Sequence, residues 1–343
     1  MRYTLYAGSY FGIPVRIHFT FPLILVAFGA EAWAHGSWQD GVNAVILILA
    51  VFVCVVLHEL GHSLQVRRYG IPVRDIILLP IGGMARAEKI PEKPWQEIVV
   101  AISGPVVNFA LAAVLLAVIL WRNVSFDLQT NFLTNLFAIN LVLGSFNLIP
   151  AFPMDGGRIL RGLLALKLSY LKATRYARNV GQVIALGFVV IGFVSDSLIM
   201  LPVIAVFIFF GAINEENMVR VKVLLEGKTA RDLVDRDQPA LGLDDSIESA
   251  AGFIKPAARV FAVTDGNNWL YGVVAADDVL AAIKAGRGKA PASEITRTDF
   301  PVLSSETPGP QAYYFLKEQK KRFAGVVDGD EFVGLLFYDS LLG

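Results

Sequence analysis

The feature that most constrains this chain is a series of six uncharged, mostly apolar runs. They cover residues 18–30, 41–57, 98–121, 128–154, 179–195 and 197–214. A helix needs about 20 mostly apolar residues to cross the hydrocarbon core of a bilayer, where its backbone must satisfy its own hydrogen bonds. The third and fourth runs meet that length easily, whereas the first, fifth and sixth are short. We therefore expect a polytopic α-helical membrane protein with about six transmembrane helices.

The positions of Lys and Arg orient these helices in the bilayer. With the N-terminus in the cytoplasm, the inner segments carry fourteen Lys and Arg residues and the outer loops carry only Arg122. This bias predicts a multi-pass protein of the cell membrane whose N-terminus and C-terminal region are cytoplasmic. The formal net charge is zero, so the composition does not indicate a nucleic-acid partner.

The second run ends in the sequence His58-Glu59-Leu60-Gly61-His62. Residues four apart lie on one face of a helix, so His58 and His62 can present two imidazoles to one metal ion. Zinc lowers the pKa of a bound water to about 7, and the neighbouring Glu59 can take a proton from that water. Because polar clusters in membrane helices mark function, the motif predicts a hydrolytic zinc site. A satisfied polar cluster near the cytoplasmic interface is the alternative.

Asp155 is the candidate third ligand, since a catalytic zinc normally has three protein ligands. It follows the fourth run, where two prolines end the helix and a glycine pair allows a tight turn. This places its carboxylate at the membrane boundary on the same side as His62. From local sequence alone, an N-cap for the next helix is an equally good interpretation. No spacing argument makes a ligand of His18 or His35, which lie near the ends of the first run.

The motifs together resemble the site-2 protease family of intramembrane metalloproteases, in particular the group with a C-terminal pair of cystathionine-β-synthase-type (CBS) domains. The resemblance covers essentially the whole chain. It rests on residues 58–62, the segment 147–158, the pair Gly82-Gly83 and the sequence Gly104-Pro105-Val106-Val107-Asn108. It implies hydrolysis of peptide bonds in or near transmembrane segments of substrate proteins, such as an anti-sigma factor or a similar regulator.

The resemblance also implies roles for individual residues. His58, His62 and Asp155 correspond to zinc ligands and Glu59 to the general base. Asn147 corresponds to an asparagine that contacts the substrate backbone or the developing oxyanion, with a helix C-terminal cap as the alternative. We interpret Gly104 and Asn108 as helix-packing residues.

The segment 75–88 is too short and too interrupted to span the membrane. Its apolar run, followed by Pro80 and Gly82-Gly83, predicts a hairpin or loop that dips into the interface. In the family this region resembles a strand pair beside the active site, and its free edge could hold an extended substrate as an added strand. We therefore expect Gly82 and Gly83 to bind substrate. A simple connecting loop is the alternative.

The last third of the chain reads as a soluble α/β domain. We expect a membrane-embedded domain over residues 1–215, a linker over 216–228 and a cytoplasmic CBS pair over 229–343. Two strand-turn-strand units, 260–274 and 323–337, predict the pair. CBS pairs commonly sense adenine nucleotides, but Ala275 and Phe337 stand where the signature requires a hydroxyl. Docking or homodimerisation through this domain is at least as good an interpretation.

Two other functions compete with the protease. A CBS-regulated membrane transporter would need polar groups distributed along a pathway and often has internal repeats. The spans of this chain show no repeat, and the runs three to six are uncharged. An inactive metal-binding scaffold would not need Glu59.

Overall fold

The computed structural model of the chain describes residues 4–80, 82–87, 93–128, 131–194, 198–235, 240–254 and 260–342. The chain forms two compact units, Met1–Glu216 and Asn217–Gly343.

The first unit contains a four-stranded sheet with the order β1-β2-β3-β4. Its strands are β1 (Thr4–Tyr10), β2 (Ile13–His18), β3 (Val73–Leu79) and β4 (Gly82–Ala87). The pairs β1–β2 and β3–β4 are antiparallel hairpins, and β2 pairs with β3 in parallel. Among the described residues, strand β4 is therefore the edge strand of the sheet on this side. The predicted hairpin in segment 75–88 is confirmed for residues 75–80 and 82–87, and residues 81 and 88 lie outside the described residues.

Seven helices accompany this sheet in the described part of the chain. They are α1 (Phe21–His35), α2 (Trp38–Arg68), α3 (Pro94–Trp121), α4 (Phe132–Asn147), α5 (Asp155–Ala165), α6 (Tyr170–Val194) and α7 (Leu201–Leu225). Helix α7 begins in the first unit and ends in the second. Every predicted apolar run coincides with one of these helices. By length and apolarity α2, α3, α6 and α7 can each cross a membrane, whereas α1 and α4 have 15 and 16 residues. The count of six spans stays a prediction.

Three helix lengths differ from those expected. The fourth run was expected to span easily, but α4 begins only after Asn131, whose side chain caps it by accepting from the N–H groups of Leu133 and Thr134. The fifth and sixth runs were expected to be short, but α6 and α7 have 25 residues each. They are longer because both helices continue into the charged sequence beside the apolar runs.

These extended helix ends carry buried ion pairs. The fully buried guanidinium of Arg161 in α5 donates to Glu97 of α3 over 2.7 Å and to Glu215 of α7 over 2.8 Å. Glu216 also pairs with Arg175 and Arg178 of α6. The charged groups therefore join helix ends to one another, outside the uncharged runs.

Glycines bring the central helices close together. A Cβ atom on Gly61 of α2 would lie 2.8 Å from the carbonyl oxygen of Ser103 in α3. A Cβ atom on Gly144 of α4 would lie 3.1 Å from the ring of Phe109 in α3. Small residues of this kind let membrane helices pack at short distance, and here they place α3 directly beside α2 and α4.

An apolar core fixes the sheet against α1 and α2. Its buried members are Ile13, Val15, Phe21, Phe52, Leu60, Ile76 and Leu78. Alternate residues of β2 and β3 point into this core, as expected for strands with one buried face. The sheet is thereby held beside the half of α2 that carries the His-Glu motif.

The second unit contains two similar three-stranded sheets. The first has the order β5-β6-β7 and the second β8-β9-β10. In each, the first pair of strands is parallel and the second pair is an antiparallel hairpin. The elements are α8 (Ala230–Leu233), β5 (Ala240–Gly242), α9 (Ile247–Ala251), β6 (Val260–Thr264), β7 (Leu270–Ala275), α10 (Ala276–Lys284), β8 (Val302–Ser304), α11 (Gly309–Glu318), β9 (Phe323–Asp328) and β10 (Glu331–Phe337).

The two predicted strand-turn-strand units coincide with β6–β7 and β9–β10, so the internal repeat is confirmed. Each copy also has a short strand and a helix before its hairpin. The predicted linker 216–228 is helical as far as Leu225, the end of α7.

Candidate metal centre and active site

Three side chains from two helices meet at one point in the first unit. The Nε2 atoms of His58 and His62, one turn apart on α2, lie 3.0 Å from each other. Oδ2 of Asp155, the first residue of α5, lies 3.2 Å from the first and 3.1 Å from the second. All three residues are buried. They are the one group among the described residues in which three or more His, Cys, Asp or Glu side chains could hold a metal ion.

The position of Asp155 contradicts one of its two predicted interpretations. Met154 occupies the N-cap position of α5, and the Asp155 carboxylate points to the histidines. The capping interpretation is therefore wrong. Of the remaining histidines, His18 contacts Thr20 through Nδ1 over 2.7 Å, and His35 ends α1. Neither belongs to the group.

The orientation of the imidazoles fits a metal ion. Nδ1 of His62 lies 2.7 Å from the carbonyl oxygen of Val100, and Nδ1 of His58 lies 2.5 Å from Oδ1 of Asn108. Because these oxygens accept, both Nδ1 atoms donate, and in the neutral imidazole each Nε2 then keeps its lone pair. A metal ion between the three atoms would accept these lone pairs. Ligands of a tetrahedral zinc are about 3.4 Å apart, so the separations also agree with such an ion.

Glu59 lies between the metal-binding group and the free edge of the sheet. Its Oε2 accepts a hydrogen bond from the backbone N–H of Ala85 in β4 over 3.2 Å. A Cβ atom on Gly83 would lie 2.7 Å from Cγ of Glu59, so a larger residue there would displace the carboxylate. Gly82 has a φ of +137°, which favours glycine at the start of the strand.

Two cavities of about 260 Å³ each adjoin the group. His58, Glu59, Gly83, Asn147 and Pro153 line both. The remaining lining of one cavity is mainly apolar and includes Val55, Leu143, Phe146, Met154 and Phe207. The other cavity also contacts His62, Ser63, Asp155 and Arg158. A peptide bond near Glu59 would therefore have space for side chains on either side.

Asn147 is the last residue of α4 and lies at these cavities. Its Nδ2 donates to the carbonyl oxygen of Leu143 over 3.0 Å, within the same helix. Leu148 occupies the C-cap position, while the Asn147 side chain bonds to the last turn of α4, so its role in substrate binding stays a prediction.

One face of α3 contacts the imidazoles through residues whose importance the sequence did not reveal. Val100, Gly104 and Asn108 are four apart and lie side by side. A Cβ atom on Gly104 would lie 2.6 Å from Nε2 of His58 and 2.5 Å from Cε1 of His62. The interpretation of Gly104 and Asn108 as helix-packing residues missed these contacts. The i, i+4, i+8 spacing was the available signal, but nothing in the sequence pairs that face with α2.

Comparison with known proteins agrees with this site. The sequence profile of Peptidase family M50 matches residues 46–127 and 123–188, which include the His-Glu motif and Asp155. Zinc metalloprotease MJ0392 of Methanocaldococcus jannaschii is 39% identical over 257 residues, which are 74% of this chain and 73% of the relative. The protein sll0528 of Synechocystis sp. is 32% identical over 299 residues, which are 81% of this chain and 78% of that protein.

A solved structure, the site-2 protease from Methanocaldococcus jannaschii, is 40% identical with a TM-score of 0.48, and the match covers 62% of this chain and 95% of that one. The two sequence relatives exceed 30% identity over more than two thirds of their own lengths. The chain therefore belongs to peptidase family M50, the site-2 proteases, and is an intramembrane zinc metalloprotease.

Proposed function

We propose that His58, His62 and Asp155 are the three protein ligands of the catalytic zinc. The convergence of their Nε2, Nε2 and Oδ2 atoms within 3.0–3.2 Å carries this proposal. Two imidazoles and one carboxylate form a donor set of the catalytic zinc type, which leaves a position open for water or substrate. When bound, the zinc supplies a Lewis acid that acidifies water and polarises a substrate carbonyl.

Glu59 is the general base in this proposal. Its carboxylate takes a proton from the attacking water and passes it to the leaving amine. The N–H of Ala85 holds Oε2 on the side of β4, and the missing side chain of Gly83 leaves room for the carboxylate. The base is thereby positioned before substrate enters.

Asn147 contacts the substrate carbonyl or the oxyanion that develops on it. The support is its place in the lining of both cavities, beside His58 and Glu59. Its Nδ2 carries two hydrogens, and the bond to Leu143 uses one of them. The second can donate to an oxyanion, which strengthens binding where negative charge develops.

The substrate binds in extended form along β4, with Gly82 and Gly83 beside the scissile bond. A transmembrane helix hides its peptide bonds, so the substrate must unwind locally before it is cleaved. The edge of β4 that faces away from β3 offers backbone donors and acceptors to such a strand, apart from the Ala85 N–H that bonds to Glu59. A single-span membrane protein, such as an anti-sigma factor or a similar regulator, fits this requirement.

The chain has its N-terminus and its C-terminal domain in the cytoplasm, with six spans between residues 1 and 215. The excess of fourteen Lys and Arg residues on the inner side supports this orientation. The residues after 228 form a CBS pair, supported by the repeated strand order of β5–β7 and β8–β10. This pair serves docking, homodimerisation or regulation. Since Ala275 and Phe337 replace the expected hydroxyl, adenine nucleotide is a weaker proposal.

Zinc stoichiometry in purified variants tests the ligand set. We expect about one zinc per wild-type chain and almost none after His58→Ala, His62→Ala or Asp155→Asn. His35→Ala, at the end of α1, is the matched control and should keep its zinc. Full zinc in a ligand variant would contradict the proposed set. One zinc without cleavage of any single-span substrate would favour the inactive scaffold.

A further inference from the structure

Two asparagines are buried among the apolar helices behind the metal-binding group. Asn108 of α3 and Asn140 of α4 are 1% and 0% exposed. Burying an amide without hydrogen bonds is costly, particularly in a membrane bundle. Both side chains form hydrogen bonds, and these bonds determine which end of each amide is the donor and which is the acceptor.

The assignment of donors and acceptors starts from a backbone carbonyl group. The carbonyl oxygen of Leu136 can only accept, and Nδ2 of Asn140 donates to it over 2.9 Å. This fixes which end of the Asn140 amide is Oδ1. That oxygen accepts from Nδ2 of Asn108 over 3.0 Å, which in turn fixes the Asn108 amide.

The last bond reaches the metal-binding group. Oδ1 of Asn108 faces Nδ1 of His58 over 2.5 Å. Since Oδ1 can only accept, Nδ1 of His58 must carry a hydrogen. In the neutral imidazole the lone pair is then on Nε2, the atom that faces His62 and Asp155.

The surrounding helices hold these two amides in place. Gly144 lies one turn after Asn140 on α4, and a Cβ atom there would lie 3.3 Å from Cβ of Asn108. Asn140 also lies 3.3 Å from Sγ of Cys54, one turn before His58 on α2. The three helices α2, α3 and α4 therefore all contact the chain of hydrogen bonds.

We propose that Asn108 and Asn140 form a tautomer-setting relay, which starts at the Leu136 carbonyl and keeps Nε2 of His58 free to bind metal. Both are positioning residues, Asn140 acting through Asn108. The inference rests on the proposed ligand set. His62 needs no such relay because its Nδ1 donates directly to the Val100 backbone. Side chains outside the site thus control one of the two histidines.

Simple interhelical adhesion is the competing explanation, since asparagines often join membrane helices. Adhesion predicts that replacing either residue lowers stability and leaves zinc affinity unchanged. The relay predicts a change in zinc affinity that depends on which hydrogen-bonding group is removed.

The experiment measures zinc affinity of the full chain in detergent by competition with a chelator, together with the thermal midpoint of each variant. Asn108→Leu should weaken zinc binding by about 10–100-fold, and Asn108→Asp, which keeps the acceptor, should stay within a few-fold of wild type. Asn140→Leu should weaken binding by about 3–10-fold because the Asn108 amide loses its fixed orientation. Thr174→Val is the control, a buried residue of α6 whose hydroxyl donates to the Tyr170 carbonyl within its own helix.

The double variant distinguishes a relay from two separate contributions. Asn108→Leu with Asn140→Leu should bind zinc no more weakly than Asn108→Leu alone. Additive losses, or wild-type zinc affinity in Asn108→Leu, would overturn the relay. His58→Ala separates the two proposals. If it loses zinc while Asn108→Leu does not, the relay alone fails. If it retains zinc, the ligand set fails and the relay with it.

Discussion

The backbone N–H of Ala85 in β4 donates a hydrogen bond to Oε2 of Glu59 over 3.2 Å. β4 pairs with β3 along one of its two edges. Because the Ala85 N–H bonds to Glu59, it points away from β3 and toward the other edge. The edge that we propose as the substrate strand's partner therefore also holds the general base. Substrate register and base position are set by the same few residues.

Ala85→Pro removes this donor. Proline is tolerated on edge strands where its missing N–H does not face the ladder, so the β3–β4 hairpin should persist. We expect unchanged zinc content and a loss of cleavage of about 10-fold or more, since misplacing a catalytic group has effects of that size. Leu5→Ala, an exposed residue of β1 at the opposite edge of the sheet, should cleave normally. Undiminished cleavage by the proline variant would show that the Ala85 N–H does not position the base.

Gly104→Ala should impair the metal site because its added methyl group would collide with the imidazoles. The added methyl group would lie 2.6 Å from Nε2 of His58, and the imidazole cannot move without breaking its bond to Asn108. Zinc affinity should fall by about 100-fold or more. Gly187→Ala, in α6 with no atom within 4 Å of the new methyl group, is the matched control. Equal zinc affinities in the two variants would show that the added methyl group at position 104 does not disturb the metal site.

Arg161 should be critical for folding because it is fully buried between two carboxylates. Arg161→Ala leaves Glu97 and Glu215 buried without their partner and should lower the free energy of unfolding by about 3–5 kcal/mol. Replacing all three together by Met, Gln and Gln should recover most of that loss. Arg175→Ala, whose half-exposed side chain pairs with Glu216, should cost less than about 1 kcal/mol. Reversible unfolding in detergent measures both, and equal costs would contradict this account.

The β3–β4 hairpin should become less stable in acid. Arg86 donates to Asp75 over 2.6 Å and holds the pKa of that carboxyl below its usual 3.8. A lowered pKa in the folded state contributes stability above the unfolded-state pKa, which is lost as pH falls through the folded value. Thermal midpoints of wild type and Asp75→Asn should therefore converge over the pH range below about 5, as pH falls through the lowered pKa of Asp75. Parallel curves over that range would rule out this contribution.

Most of the metal-binding group could be predicted from the sequence. The spacing of His58 and His62 determines a shared helix face, and the six apolar runs define where helices form. The prediction of Asp155 as a zinc ligand depended on the family resemblance, because its local sequence fits an N-cap equally well. Its distance of 93 positions from His62 along the chain becomes a contact only through tertiary packing.

The contacts around this group could not be predicted in the same way. Asn108 and Asn140 meet because glycines let α3 approach α4, and an interhelical pairing leaves no periodic signal in one sequence. The lengths of α6 and α7 were misjudged for a related reason. Buried ion pairs such as Arg178–Glu216 let charged residues continue a helix beyond its apolar run.

The most direct test compares zinc content and cleavage in wild type and Glu59→Gln. The assay would use liposomes and a single-span substrate. We predict about one zinc in both proteins and cleavage by wild type alone, because the amide keeps the shape of the carboxylate but cannot take a proton. Cleavage that survives in Glu59→Gln would contradict the assignment of the base and, with it, the proposed active site.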